Sequence, residues 1–155
     1  MCAIIDANVA HEVFGNDRPE AGVRFYSWLT SGVGRLVVGG KLLDELGKTS
    51  FRDLARQLQL AGVIRVQNNV DVYERTEDLR AAGACRSNDP HVLALAQLSG
   101  ARLLYSNDGA LHQDFRDKEL IDQPRGRVYS TREHRDYRRS HEQLLRRRDL
   151  CRLDA

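Results

Sequence analysis

The chain lacks any long apolar run: nothing in its 155 residues approaches the roughly 18 consecutive apolar residues that cross a bilayer. The first six residues have neither the basic start nor the extended apolar stretch of a secretory signal. We therefore expect a soluble, cytoplasmic protein with no membrane partner. An apolar share of 41% over this length fills one core but not two, so we also expect a single compact unit.

Cysteine, clustered histidine and aromatic residues are also scarce. The three cysteines, Cys2, Cys85 and Cys151, lie far apart without a Cys-x-x-Cys pair, which favours reduced thiols over a disulfide framework or a zinc knuckle. The five histidines fall at none of the short paired spacings of zinc sites, and we expect most of them at the surface. Trp28 is the only tryptophan, and no aromatic cluster forms an obvious platform for stacking nucleic-acid bases.

Charge is divided unevenly along the chain. Residues 1–124 carry 14 Lys and Arg against 17 Asp and Glu, whereas residues 125–155 carry 10 against 5. Basic side chains bind phosphates without reading sequence, so the basic end suits a polyanion such as RNA. An Arg-rich helix face that is merely solvated explains the same pattern equally well.

Short apolar segments alternate with segments of helical periodicity. The sequence predicts strands at 2–5, 36–38, 63–66, 103–105 and 128–129, and helices at 7–14, 19–29, 41–48, 51–60, 69–83, 90–99, 110–115 and 131–148. This alternation favours a parallel sheet covered by helices on both faces, because parallel neighbours need a crossover connection. Such sheets bind ligands beyond the carboxyl ends of their strands, where the strand order reverses.

Asp6 after the first strand and Asp108 after the fourth fall at such ends, and two further acids, Glu45 on the third helix and Asp89 before Pro90, would join them if the fold gathers all four at one edge. Carboxylates about 5 Å apart repel by roughly 3 kcal/mol at an effective dielectric of about 20, a conflict that a divalent cation removes. Oxygen-only ligands suit Mg²⁺ or Mn²⁺, which activate water for attack on phosphodiesters.

Each acid also has a simpler explanation. Asp6 and Asp89 are good helix caps, Asp108 lies in an Asn-Asp-Gly turn, and Glu45 alone resembles an ordinary exposed helical residue. Asp6 could instead accept a phosphoryl group, but that chemistry requires a lysine near the end of a late strand. No lysine occurs between positions 48 and 118.

The acids stand in segments that resemble the PIN domain, a family of small nucleases that includes the VapC-type toxins of bacterial toxin–antitoxin pairs. The matching segments, in order over about residues 2–117, are Ile4-Ile5-Asp6-Ala7-Asn8, Leu43-Asp44-Glu45-Leu46, Asn88-Asp89-Pro90-His91-Val92-Leu93-Ala94-Leu95-Ala96 and Ser106-Asn107-Asp108. The resemblance implies an α/β fold, a Rossmann-like three-layer α/β/α sandwich with a central parallel sheet. It also implies endonucleolytic hydrolysis of RNA with Mg²⁺ or Mn²⁺.

The resemblance assigns roles to seven residues. It makes Asp6, Glu45, Asp89 and Asp108 catalytic metal ligands, with Asn8, Ser106 and Asp114 in support. It further suggests an antitoxin protein and a second copy of the chain as partners. A catalytically silent scaffold of the same fold, binding RNA or protein without cutting, is the alternative.

The end of the chain extends beyond the resemblance. We predict that residues 1–130 form the PIN-like domain and that residues 131–155 form a basic helical extension, packed on that domain or trailing from it. As a hypothesis based on the charge division, this extension lies along the substrate. Its predicted nucleic-acid-binding residues are Arg138, Arg139, Arg146, Arg147 and Arg148.

Overall fold

The structure is a computed structural model that describes residues 1–152. Within these residues five strands form one all-parallel sheet, in the order β3-β2-β1-β4-β5. The strands are β1 (Cys2–Ile5), β2 (Arg35–Val38), β3 (Ile64–Val66), β4 (Leu103–Tyr105) and β5 (Arg127–Tyr129). The helices are α1 (Ala10–Phe14), α2 (Glu20–Thr30), α3 (Gly40–Leu46), α4 (Phe51–Leu60), α5 (Asn69–Ala82), α6 (Pro90–Ser99), α7 (Gly109–Arg116) and α8 (Arg139–Arg146). This is the predicted α/β/α sandwich.

The central strand β1 determines where a site can form. Its four residues are almost completely buried, as expected for a strand covered on both faces. The chain runs outward from β1 to β2 and β3, then crosses back to add β4 and β5 on the other side. The strand order therefore reverses between β1 and β4. Asp6 and Ser106, which follow these two strands, lie on either side of that reversal.

Helices enclose the sheet and complete the core. On one side α1 packs against α2, and α8 packs against α2 and β5; elsewhere α5 packs along α6, and α3 contacts both. The rings of Phe25, Tyr105 and Tyr129 meet with centroids 4.8 to 5.2 Å apart, joining α2 to β4 and β5. In the described part of the chain, no helix has the length and apolar character needed to span a bilayer.

The segment after residue 130 differs from its prediction. A continuous helix over 131–148 was wrong: α8 covers Arg139–Arg146, and a short 3-10 turn follows at Arg148–Leu150. Side-chain hydrogen bonds hold the preceding loop instead. His141 accepts from the backbone N–H of Arg138 at 3.0 Å, and its other nitrogen lies 2.7 Å from the carbonyl of Ser130. Residues 153–155 of the predicted extension lie outside the described residues.

The expectation that all cysteines are reduced was also wrong. Cys2 and Cys151 form a disulfide with their Cα atoms 5.2 Å apart, and Cys85 is a free thiol. The backbone brings the pair together. Arg102 N–H donates to the carbonyl of Leu150, and Arg152 N–H donates to that of Gly100, so the last turn lies beside the sheet. The sequence does not indicate that Cys2 and Cys151 are close, because they are 149 positions apart.

Candidate active site

Asp6 lies at the carboxyl end of β1 and is 5% exposed. Its Oδ2 accepts a hydrogen bond from Ser106 Oγ at 2.8 Å, and its Oδ1 accepts from the Asn8 backbone N–H at 3.3 Å. Ser106 is fully buried at the end of β4. Two of the three predicted supporting residues therefore contact Asp6, Ser106 through its side chain and Asn8 through its backbone.

Asp108 is linked to Asp6 through the same serine. The Asp108 backbone N–H donates to Ser106 Oγ at 3.1 Å, while Asp108 Oδ1 accepts from Ala110 N at 2.9 Å and Leu111 N at 3.2 Å. The carboxylate thus caps α7, as its turn composition suggested. Capping uses only one oxygen, so the other remains available for a ligand.

Asp89 precedes α6 but does not cap it, since its side chain accepts no hydrogen bond from the first turn. Its backbone N–H donates to Ser87 Oγ at 3.3 Å. The loop before it is held by Asp114, which is fully buried and accepts from the backbone N–H groups of Arg86 at 2.9 Å and Ser87 at 2.8 Å. Asp114 therefore supports the segment that carries Asp89 and touches none of the four acids directly.

Glu45 reaches the same edge from α3, with its Oε1 2.6 Å from His91 Nε2. His91 is 2% exposed, and its Nδ1 has no hydrogen-bond partner within residues 1–152. Because the carboxylate can only accept, a proton on Nε2 makes this hydrogen bond and orients Glu45. Sequence reasoning missed His91 because it expected most histidines at the surface, an expectation that was wrong for three of five: His91, His112 and His141 are buried. Its place within the apolar sequence of α6 was the available sign.

Electrostatics shows that the four acids share one environment. Burial raises the pKa of Asp6 against the lowering effect of its hydrogen bonds, and the charges of Asp108 and Glu45 raise it further. Burial likewise raises the pKa of Asp89, followed by the charge of Asp6, while nearby His91 lowers it. The charges of Glu45 and Asp108 therefore act on both Asp6 and Asp89 beside the reversal point of the sheet.

The donor chemistry at this edge fits a hard divalent cation. Within residues 1–152, no three Asp, Glu, His or Cys side chains converge closely enough to hold an ion as they stand. Repulsion between uncompensated carboxylates favours such an open arrangement. Glu45 Oε2, Asp108 Oδ2 and both Asp89 oxygens nevertheless accept no hydrogen bond from the described residues. They are the oxygen ligands that Mg²⁺ and Mn²⁺ prefer.

A second carboxylate network, which sequence reasoning also missed, lies behind the site. Glu12 is 8% exposed and accepts from Tyr105 Oη at 2.7 Å, Thr131 Oγ1 at 2.5 Å and Asn107 Nδ2 at 3.1 Å. Asn107 Oδ1 in turn accepts from Ser130 Oγ and Thr131 N. This network fixes the turn between Ser106 and Asp108 and ties it to the chain beyond β5.

The arginines predicted to bind nucleic acid do not gather at this edge. Arg146 and Arg148 line a cavity with Met1 and Val33, which precede β1 and β2 at the opposite, amino edge of the sheet. Three of the five are paired with acids: Arg138 with Asp136 at 3.5 Å, Arg146 with Glu142 at 2.7 Å, and Arg147 with Asp149 at 2.5 Å. Their binding of RNA stays a prediction.

Comparison with known proteins agrees with the architecture. A family model described as PIN domain matches residues 3–115, a range that contains all four acids. Searches of curated proteins and of solved structures gave no match. Because the matched range covers most of the chain, the chain belongs to the PIN-domain family, whose members are generally nucleases.

Proposed function

We propose that the chain is a metal-dependent endoribonuclease that hydrolyses phosphodiester bonds of RNA at Asp6, Glu45, Asp89 and Asp108. The observation that carries this proposal is that Asp6, Glu45 and Asp108 lie near enough to Asp89 for their charges to raise its pKa, beside the β1–β4 reversal. Parallel α/β sheets bind their ligands at this place. Membership of the PIN-domain family supports nuclease chemistry there.

The residues around the acids have distinct supporting roles. Ser106 orients Asp6 and the backbone of Asp108. His91 holds one oxygen of Glu45 and leaves the other free, while Asp114 fixes the loop before Asp89. Mg²⁺ or Mn²⁺ held by these acids would supply a Lewis acid and a water of lowered pKa for attack on phosphorus.

The test is an incubation of purified protein with single-stranded RNA and Mn²⁺ or Mg²⁺, repeated with chelator. Asp6→Asn and Asp89→Asn should each lower cutting by about a hundredfold or more, since each removes a charged ligand. Asp149→Asn is the matched control, because Asp149 pairs with Arg147 away from this edge. Cutting that survives in Asp6→Asn and Asp89→Asn would come from a contaminating nuclease and contradict the proposal.

A silent RNA-binding or protein-binding scaffold is the second candidate. The observation that favours it is the open arrangement of the acids, of which no three in the described chain form a ready ion site. The same incubation separates the two candidates: binding of RNA without metal-dependent cutting supports the scaffold. Cutting that depends on metal and on Asp89 supports the nuclease.

The finer proposal, that the nuclease is the toxin of a toxin–antitoxin pair, rests on the family resemblance alone. Overproduction should then arrest growth, and the product of a small neighbouring gene should relieve the arrest. Growth arrest that persists in Asp6→Asn would argue against RNA cutting as its cause. A homodimer, also suggested by the family, is tested by measuring the mass of the protein in solution.

A further inference from the structure

A cleft of about 490 Å³ opens beside Asp108, between α7, the loop that follows β5, and α8. Gly109 and the buried ring of His112 form the α7 wall, and Ser130 lies across from them. Arg116 and Arg132 line the cleft with exposed side chains. The cleft is large enough for a small polar ligand or a short piece of a polymer chain.

The two arginines carry charge that no carboxylate of residues 1–152 neutralises. Neither guanidinium pairs with a carboxylate in the part of the chain that the structure describes. Glu133 is the single acid among the lining residues, against two arginines. The arginines of α8 differ, because Arg146 is held by Glu142. Unpaired guanidinium groups at a cleft are suited to bind an anion, and phosphate matches their planar pair of donors.

The cleft adjoins the acidic site. The Arg132 guanidinium lies directly over Gly109, in the space that a Cβ there would fill, and Gly109 follows Asp108. His112 connects the two regions, with its Nε2 2.6 Å from the carbonyl oxygen of Ser106. Burial lowers the pKa of His112, Arg116 and Arg132 lower it further, and Asp108 opposes them. Both arginines and the carboxylate are therefore close enough to act on one ring.

We propose that this cleft binds backbone phosphates of the RNA strand next to the bond to be cut, with Arg116 and Arg132 as the phosphate-binding side chains. The inference rests on the proposed nuclease function, because it places the substrate strand relative to the four acids. An RNA strand held by Arg116 and Arg132 in the cleft would lead directly to the four carboxylates at the carboxyl edge of the sheet.

The lining also indicates how the strand is recognised. No Phe, Tyr or Trp lines the cleft, and its aromatic side chains are those of His112, His134 and His141, of which His112 and His141 are buried. Contacts between guanidinium groups and phosphates are insensitive to base sequence and strongly dependent on salt. The two arginines therefore supply affinity for the strand and not sequence preference.

Fluorescence anisotropy with a short labelled RNA of mixed sequence tests the inference. All measurements are made in chelator over a series of salt concentrations, so that neither cutting nor a bound cation contributes. The Arg116→Gln/Arg132→Gln variant should raise the Kd on the order of tenfold and lower the salt slope by about 1.4, or about 0.7 for each phosphate contact. The matched control, Arg52→Gln/Arg56→Gln, removes the same charge from exposed positions on α4 that do not line the cleft, and should leave both quantities nearly unchanged. Circular dichroism checks that both variants fold.

Three results would overturn the inference: equal weakening in both variants, no weakening in either, or no RNA binding by the unmodified protein in chelator. Competition with a mononucleotide adds a fourth, since equal displacement by mononucleotide and RNA would indicate a small-molecule pocket. Failure of the nuclease proposal would give a different result: RNA would bind through Arg116 and Arg132 but remain uncut when Mn²⁺ is added. Metal-dependent cutting together with RNA binding that Arg116→Gln/Arg132→Gln leaves unchanged would refute the role of the cleft alone.

Discussion

At the carboxyl edge of the sheet, the charges of neighbouring carboxylates raise the pKa values of Asp6 and Asp89, and the two arginines of the adjoining cleft have no carboxylate partner among the described residues. At the amino edge, the arginines are more numerous in sequence, but Arg146 and Arg147 are paired with exposed acids and a disulfide joins the chain. The difference teaches that density of charge in a sequence locates function poorly. Charge that the fold leaves uncompensated on well-supported side chains locates it better.

The largest expected effect concerns the disulfide at the amino edge, whose loss should change stability without changing activity at the carboxyl edge. A bridge across 149 residues lowers the conformational entropy of the unfolded chain, and the chain-entropy model gives a stabilisation of about 5 kcal/mol. Cys151→Ser should therefore lower the free energy of unfolding by about 3–5 kcal/mol. Chemical denaturation measures the loss, with Cys85→Ser as the free-thiol control. RNA cutting at a temperature where the variant is folded should be unchanged, because the bridge lies away from the acids. Loss of cutting in folded Cys151→Ser would remove the functional distinction between the edges.

The next largest effect is expected at Asp114. Asp114→Ala leaves the buried backbone N–H of Ser87 and the partly buried N–H of Arg86 without their acceptor, and should cost about 2–3 kcal/mol of stability. Cutting should also fall, because the same loop carries Asp89. Asp149→Ala removes an exposed ion pair at the amino edge and should change stability by no more than about 0.5 kcal/mol. Urea denaturation of the two variants makes the comparison, and equal losses would contradict it.

The effect expected at His91 is smaller and concerns the affinity for Mn²⁺. His91→Leu removes the hydrogen bond to Glu45 and should weaken Mn²⁺ binding by about tenfold to a hundredfold, as loss of an orienting partner usually does. Calorimetric titration with Mn²⁺ measures it. His91→Gln, which keeps a donor, should recover part of the affinity although the cavity is imperfectly filled. If Leu and Gln behave alike, His91 packs the core and does not position Glu45.

The smallest effect concerns the metal-free protein. Because burial and neighbouring charge raise the pKa of Asp89, its ionised form destabilises the fold, so stability falls as the pH rises above the ordinary Asp value of 3.8. Asp89→Asn should therefore raise the melting temperature in chelator at neutral pH by about 1–3 °C. Adding Mn²⁺ should stabilise the unmodified protein and not the variant. A variant that melts lower in chelator would show that Asp89 has a net stabilising role.

Much of the architecture was predictable because local sequence determines it. The buried run of β1, the helical periodicities and the breaks at glycine gave five strands in the correct order along the chain and most helix positions. Asp6 and Asp108 were found because residues after parallel strands meet at one edge, whereas Glu45 and Asp89 were assigned through the family resemblance. Family membership and fold agree with the resemblance, whereas the roles of the individual acids remain predictions.

The parts that sequence did not predict depend on contacts between distant residues. The disulfide requires residue 151 to return to β1, and the Glu12 network joins α1 to β4 and Thr131. The C-terminal helix is shorter than predicted because hydrogen bonds from His141 and Thr131 fix a loop where composition favoured a helix. Whether an arginine is paired or unpaired is likewise decided by where the chain folds back.

Helix α7 supports the site at three places along its eight-residue length. Asp108 caps its start, His112 holds the carbonyl of Ser106, and Asp114 anchors the loop before Asp89. Three of the four acids are thus linked to α7: Asp108 as its cap, Asp6 through Ser106, and Asp89 through the loop that Asp114 holds. A small tilt of α7, from repacking of Leu111 or Phe115 in the core, would displace all three together. Core substitutions beneath this helix should therefore reduce activity more steeply than equally destabilising substitutions beneath α4.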